Sequence, residues 1–200
     1  YPEHGILGEE HGRSMLNAEY LWVLDPIDGT VNFTSGFPTF GTLIALLKAG
    51  KPMIGVIDLP ILGDRWVGIS GKKTTLNDKQ TSTRKCDAIK KAFLSASSPF
   101  MFSQGKQIES FERLRHQSIR RPIYSGNCLS YGLLASGYLD IVCEANMEPY
   151  DYMALVPIVE GAGGIITDWH GDPLRIDSDG TTLATGDTNL HKQAITILSQ

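Results

Sequence analysis

The sequence predicts a mixed α+β fold, or a layered α/β one, and three observations predict it. The apolar segments FGTLIALLKAG (40–50), PMIGVIDLP (52–60) and DRWVGISG (64–71) follow one another across short turns, as the strands of a meander do. Later in the chain, apolar stretches alternate with segments whose hydrophobic residues recur every three or four positions. No repeat, low-complexity tract or linker-like stretch divides the chain, so one domain over residues 1–200 is expected.

The elements follow in order. YLWVLD (20–25) reads as a buried strand, and a short helix is expected after it at Gly29 and Thr30. The meander comes next, with its first turn at Gly50-Lys51-Pro52. KKAFLSASS (90–98) reads as a further strand. GKQIESFERLRHQ (105–117) places Ile108, Phe111 and Leu114 at helical spacing, so it is an amphipathic helix. RPIYSG (121–126) reads as a short strand, NCLSYGLLASG (127–137) as a helix closed by Gly137, and YLDIVCEA (138–145) as a strand. YDYMALVPIVEGAGG (150–164) starts as a helix at Asp151 and stops in glycines, with Pro157 kinking it or marking its second turn. GIITDW and TTLATGD are strands, and NLHKQAITIL is a closing helix capped near Thr188 or Asn189.

Composition excludes several function classes. The chain has 200 residues, 42% hydrophobic and 20% charged, with net charge −4, which is ordinary for a globular protein and gives no basic stripe for nucleic acid. Arg113, Arg115, Arg120 and Arg121 come nearest, but Glu109 and Glu112 dilute them into a solvated helix face. Three cysteines, Cys86, Cys128 and Cys143, lie far apart with no CxxC, and five histidines show no HExxH, which argues against a disulfide framework or a zinc site. Reduced thiols point to the cytoplasm. The longest uninterrupted apolar run, Leu43 to Leu47, is too short to span a bilayer, and YPEHGILGEE is no signal peptide.

The chemistry concentrates in VLDPIDGTVNF (23–33). An apolar stretch runs into Asp25 and Asp28, with no Lys or Arg inside the motif. Two carboxylates about 5 Å apart repel by roughly 3 kcal/mol at an effective dielectric of about 20. Such a pair takes up a proton, points apart or binds a cation. A hard cation such as Mg²⁺ suits two carboxylates and the Ile27 carbonyl. Gly29 and Thr30 then open a helix whose N–H groups can face an anion. A turn with two solvated acids is the alternative for the dipeptides alone. Two more acidic places lie near apolar segments: Glu9 and Glu10 in GILGEEHG, and Asp151 in EPYDYMALVPIVEGAGG. Taken singly, Asp151 is a helix N-cap and the glutamates a solvated loop.

WVLDPIDGTVNF, the upstream GEE and the downstream PYDYMALVPIVEGAGGIITDW resemble, in order and over nearly the whole chain, the inositol monophosphatase superfamily of Mg²⁺-dependent, lithium-sensitive phosphatases. The resemblance implies a layered α/β/α/β/α sandwich of the inositol monophosphatase and fructose bisphosphatase type. It implies a phosphomonoesterase that hydrolyses a small-molecule phosphate by attack of a metal-activated water. Carried over position by position, Glu9 resembles a metal ligand with Glu10 beside it, and Asp25 a ligand bridging two metals. The Ile27 carbonyl, Asp28 and Asp151 resemble the rest of the metal shell. Gly29 and Thr30 would bind phosphate, the Thr30 hydroxyl orienting the water, so Glu9, Asp25 and Thr30 form the implied catalytic set. Four such carboxylates sum to −4 against +4 from two Mg²⁺, and a bound phosphate leaves room for a third ion. The family is commonly homodimeric.

The substrate branch is implied less directly. GEEHG, GVIDLPIL, STRKC and YGLLASG resemble the histidinol-phosphatase branch, so histidinol phosphate, an intermediate of histidine biosynthesis, is the first expectation. Glu144 falls where the family places a substrate-contacting acid and could pair with an ammonium group. Asn32-Phe33 is instead typical of inositol phosphatases, and Asn127 stands at a substrate position where the histidinol branch has Asp. An inositol-1-phosphatase, or another small sugar or nucleotide phosphatase, is therefore the alternative. The family also carries N-terminal helices with a Thr-x-x-Asp element before GEE. Nothing in these 200 residues matches that element, so the chain is expected to lack those helices. A non-catalytic metal- and phosphate-binding protein is the alternative of another class.

Overall fold

The computed structural model describes residues 1–10 and 12–200. The chain opens with β1 (Gly5–Gly8), β2 (Gly12–Ser14) and β3 (Tyr20–Asp28), β1 pairing antiparallel with β2 and parallel with β3. The short helix α1 (Thr30–Thr34) leads to a meander of β4 (Gly41–Lys48), β5 (Lys51–Leu59), β6 (Asp64–Ile69), β7 (Thr75–Leu76) and β8 (Lys79–Gln80). Together they form an eight-stranded sheet in the order β2-β1-β3-β4-β5-β6-β7-β8. The second half supplies β9 (Leu94–Ser95), α2 (Lys106–Gln117), α3 (Cys128–Ala135), β10 (Ile141–Glu144), α4 (Pro149–Tyr152), α5 (Leu155–Gly161), β11 (Ile165–Thr167), β12 (Thr182–Thr185) and α6 (Thr188–Leu198). Its sheet has four strands in the order β11-β12-β10-β9.

Alternation along β3 buries Leu21, Val23 and Asp25 and leaves Trp22 and Leu24 half-buried on the other face. The buried face joins Leu43, Ile57 and Trp66 in one core with Tyr131 and Leu134 of α3 and Leu155 and Ile158 of α5. The approach of α5 is close: a Cβ on Gly55 of β5 would lie 1.9 Å from the Ala154 carbonyl oxygen, so only glycine lets the sheet and helix meet there. On the far side of the small sheet, Ile141, Cys143 and Leu183 pack with Phe111 and Leu114 of α2 and Leu190 and Ala194 of α6. The layers thus run helix, small sheet, helix, large sheet. Among the described residues no further helix supplies a fifth layer.

Several elements differ from the sequence reading. The first meander turn is Ala49-Gly50, with Lys51 and Pro52 inside β5, where a register shift beside Leu47 accommodates the proline. The 90–98 segment keeps only β9, after a 3₁₀ turn at Ile89–Lys91. Residues 121–126 contribute a single bridge, Ile123 to Ser95, instead of a strand. The 150–164 helix is two helices, broken at Met153-Ala154, and Pro157 sits in the first turn of the second, where a missing N–H costs nothing. The cap of α6 is Asp187, whose carboxylate accepts from the N–H groups of Asn189 and Leu190.

Candidate metal centre

The two acids of the opening motif meet through an irregularity in β3. Asp25 pairs with Leu43 and Asp28 with Gly41, so three steps along β3 match two along β4. In a regular strand, residues three apart face opposite ways. The extra residue is a bulge at Pro26-Ile27, and it returns Asp28 to the face of Asp25. Proline fits there because a bulge leaves a backbone nitrogen without a ladder partner. The loop is pinned on both sides: Asp25 Oδ1 accepts the Ile27 N–H at 2.9 Å, and Thr42 Oγ1 donates to the Pro26 carbonyl at 2.8 Å.

Asp151 arrives from α4. The Glu148 N–H donates to Asp151 Oδ2 at 2.8 Å, and the Asp151 N–H donates to the Glu148 carbonyl at 2.9 Å. Asp151 is therefore the third residue of that helix, and Glu148 is the N-cap, which corrects the reading of Asp151 as a cap. Asp25, Asp28 and Asp151 each offer a carboxylate oxygen within 4.8 Å of the other two. Asp28 Oδ2 accepts the Cys128 N–H of α3 at 2.7 Å. Glu9 follows β1, tied to β3 by its N–H on the Leu24 carbonyl at 3.2 Å. It stands outside the aspartate trio and is exposed, and its charge helps to raise the Asp25 carboxyl. Glu10 is exposed.

Among the described residues none of these acids forms an ion pair. Burial, with Asp28 and Glu9 adding their charge, pushes Asp25 up to about 8. Burial raises Asp151 to about 7. Asp28 is also raised by burial, against the opposing hydrogen bonds of Cys128. Three crowded, uncompensated hard-oxygen donors hold either protons or a divalent cation, and the donor set fits Mg²⁺.

The surroundings bring the remaining predicted residues together. The Thr30 hydroxyl donates to the Ile27 carbonyl at 3.2 Å, which leaves its lone pairs as acceptors. Gly29 caps α1 at φ 82° and ψ 42°, and a Cβ on it would lie 2.4 Å from Asn127 Nδ2. Asn127, at φ 45° and ψ −137°, caps α3 and so lies directly against Gly29. Glu144, at the end of β10, is 1% exposed and lines a cavity of about 170 Å³ with Asp28, Asn127, Asp151, Ser97 and Tyr131. Burial raises Glu144 to about 7, although hydrogen bonds from Ser97 and Tyr131 oppose the shift.

Four supporting residues had no assigned role in the sequence. Buried Asn32 donates to Thr39 Oγ1 at 2.8 Å and to the Ser125 carbonyl at 3.0 Å, which ties α1 to the turn carrying Asn127. Ser97 and Tyr131 hold Glu144, and Cys128 holds Asp28. Asn32 lies inside the motif and its burial could have been guessed; the others carry no local signal.

The model of the inositol monophosphatase family matches residues 1–200. The chain belongs to the inositol monophosphatase family. It is 46% identical over 203 residues to the bifunctional phosphatase IMPL2, chloroplastic, of Arabidopsis thaliana, a match covering 97% of this chain and 58% of that protein. It is 34% identical over 203 residues to a histidinol-phosphatase of Mycobacterium tuberculosis, covering 99% of this chain and 76% of that protein. The solved structure of an inositol monophosphatase from Zymomonas mobilis superposes with a TM-score of 0.92 at 43% identity, covering 100% of this chain and 76% of that chain. The layered fold is thus the fold of inositol monophosphatases. No helix among the described residues of this family member is long and apolar enough to cross a membrane.

Proposed function

We propose that this chain is a Mg²⁺-dependent phosphomonoesterase acting on a small-molecule phosphate, with histidinol phosphate as its substrate. The observation that carries the proposal is the aspartate trio, mutually within 4.8 Å and without a counter-ion, beside a left-handed glycine at the head of α1. Glu9, Asp25, the Ile27 carbonyl, Asp28 and Asp151 would hold two or three cations. Bound divalent cations neutralise phosphoryl charge and lower the pKa of a water nucleophile.

The chain's own residues supply the positioning. The N–H groups of Gly29 and Thr30 bind phosphate oxygens. Thr30, with its hydroxyl proton committed to Ile27, can only accept from the attacking water, and so fixes which way that water turns its lone pair. Asn127 and Glu144 face the alcohol of the ester. A buried carboxylate at that position favours a substrate with an ammonium group, and a relative in M. tuberculosis is named a histidinol-phosphatase. A second reading, an inositol phosphatase, is favoured by Asn127, an amide that matches a neutral polyol, and by the Z. mobilis relative. Three free thiols fit a cytoplasmic protein, and the family resemblance fits a homodimer.

The test is phosphate release from histidinol phosphate, inositol 1-phosphate and a generic phosphate ester, run in parallel with Mg²⁺ and with EDTA. The proposal expects Mg²⁺-dependent release, fastest from histidinol phosphate. Faster release from inositol 1-phosphate would support the second reading. No Mg²⁺-dependent release from any ester would leave a non-catalytic binding protein.

A further inference from the structure

We propose that Ser97 and Tyr131 are positioning residues that hold the Glu144 carboxylate fixed with one acceptor site free, and thereby select an ester whose alcohol carries an ammonium group over one that presents a neutral vicinal diol. The proposal rests on the reading of Glu144 as a substrate contact.

A carboxylate offers about four acceptor sites, two on each oxygen. Glu144 Oε1 takes the Ser97 N–H at 2.7 Å and also the Ser97 hydroxyl, so it is full. Glu144 Oε2 takes the Tyr131 hydroxyl at 2.8 Å and keeps one site. Tyr131 cannot swing away, because it is 1% exposed and its oxygen lies 2.8 Å from Thr182 Oγ1. With its proton on Glu144, Tyr131 accepts from Thr182. Ser97 is equally fixed, since its carbonyl takes the Ser125 N–H at 2.9 Å and Ala96 before it donates to Ile123 at 3.1 Å. The carboxylate therefore cannot turn to present both oxygens. An ammonium group places one of its three N–H donors on that lone pair and sets its positive charge beside the carboxylate. A neutral vicinal diol brings no charge to pair with the carboxylate, and only one of its two O–H groups finds an acceptor on Glu144.

Steady-state kinetics with Mg²⁺ on histidinol phosphate and inositol 1-phosphate test this in Ser97→Ala, Tyr131→Phe and Thr182→Val. Loss of alignment should raise KM for histidinol phosphate about tenfold while kcat stays within about threefold, as expected for one misaligned charge-assisted contact. The preference for histidinol phosphate over inositol 1-phosphate, as a ratio of kcat/KM, should fall by about tenfold in the first two variants and less in Thr182→Val. Ser97→Thr, which restores the hydroxyl, should restore the ratio. If Ser97→Ala does not fold, Tyr131→Phe and Thr182→Val decide. A ratio unchanged in every folded variant of an enzyme that turns over both esters overturns this inference alone. A wild-type protein that releases phosphate from neither ester overturns the functional reading and this inference with it.

Discussion

Replacing Asp25 by Asn should stabilise the metal-free protein and abolish its response to Mg²⁺. Asp25 is 1% exposed, and its carboxyl is pushed from 3.8 up to about 8 by burial and by its acidic neighbours. For an acid whose folded pKa is raised, stability is lost as pH climbs from the unfolded value through the folded one. Near pH 7 the folded chain must keep a proton that the unfolded chain has released. At about 1.4 kcal/mol per pH unit, the cost approaches about 4 kcal/mol as an upper bound. Asparagine carries no charge, and its side-chain oxygen keeps the acceptor for the Ile27 N–H. In EDTA near pH 7 the variant should therefore melt higher than wild type by at most about 8–16 °C, at about 2–4 °C per kcal/mol for a chain of this size. Wild type should gain stability from Mg²⁺ through binding linkage, and the variant should not. Scanning calorimetry with and without Mg²⁺ measures both. A variant that melts no higher than wild type in EDTA, or that keeps the full Mg²⁺ shift, would refute the reasoning.

Wild type in EDTA should lose stability steadily as pH rises from about 4 towards about 8, because Asp25 and Asp151 ionise in the folded state only near 8 and 7; saturating Mg²⁺ should flatten that slope in denaturant titrations across pH. Gly29→Ala should cut phosphate release by about tenfold or more, since the left-handed backbone and the Asn127 amide both oppose a Cβ. Adding Asn127→Gly should recover part of that loss in the same kinetic assay. Lithium should inhibit phosphate release in the millimolar range, and a flat dose response would show that the cation sites differ from the family's.

The local rules carried the reading far. Apolar segments separated by short turns located β3 to β6, helical spacing located α2, and Gly137 closed α3 as expected. The acids at the end of β3 were visible because charges that follow an apolar run lack an obvious partner. Their shared face was not visible, because it depends on a bulge at Pro26-Ile27 that only pairing with β4 defines. The break between α4 and α5 was hidden for a similar reason, since the periodicity of 150–164 does not say where backbone hydrogen bonds lapse. The roles of Ser97, Tyr131 and Cys128 were out of reach: each acts on an acid 47, 13 or 100 residues away, and no short window contains both partners.

Anomalous diffraction from crystals soaked in Mn²⁺ tests the central claim most directly. Manganese shares the oxygen preference of Mg²⁺ and marks its own position. The aspartate trio should enclose an anomalous peak within bonding distance of Asp25, Asp28 and Asp151, and Asp28→Asn should abolish it. Strong peaks elsewhere with none between these three carboxylates would contradict the assignment of this centre.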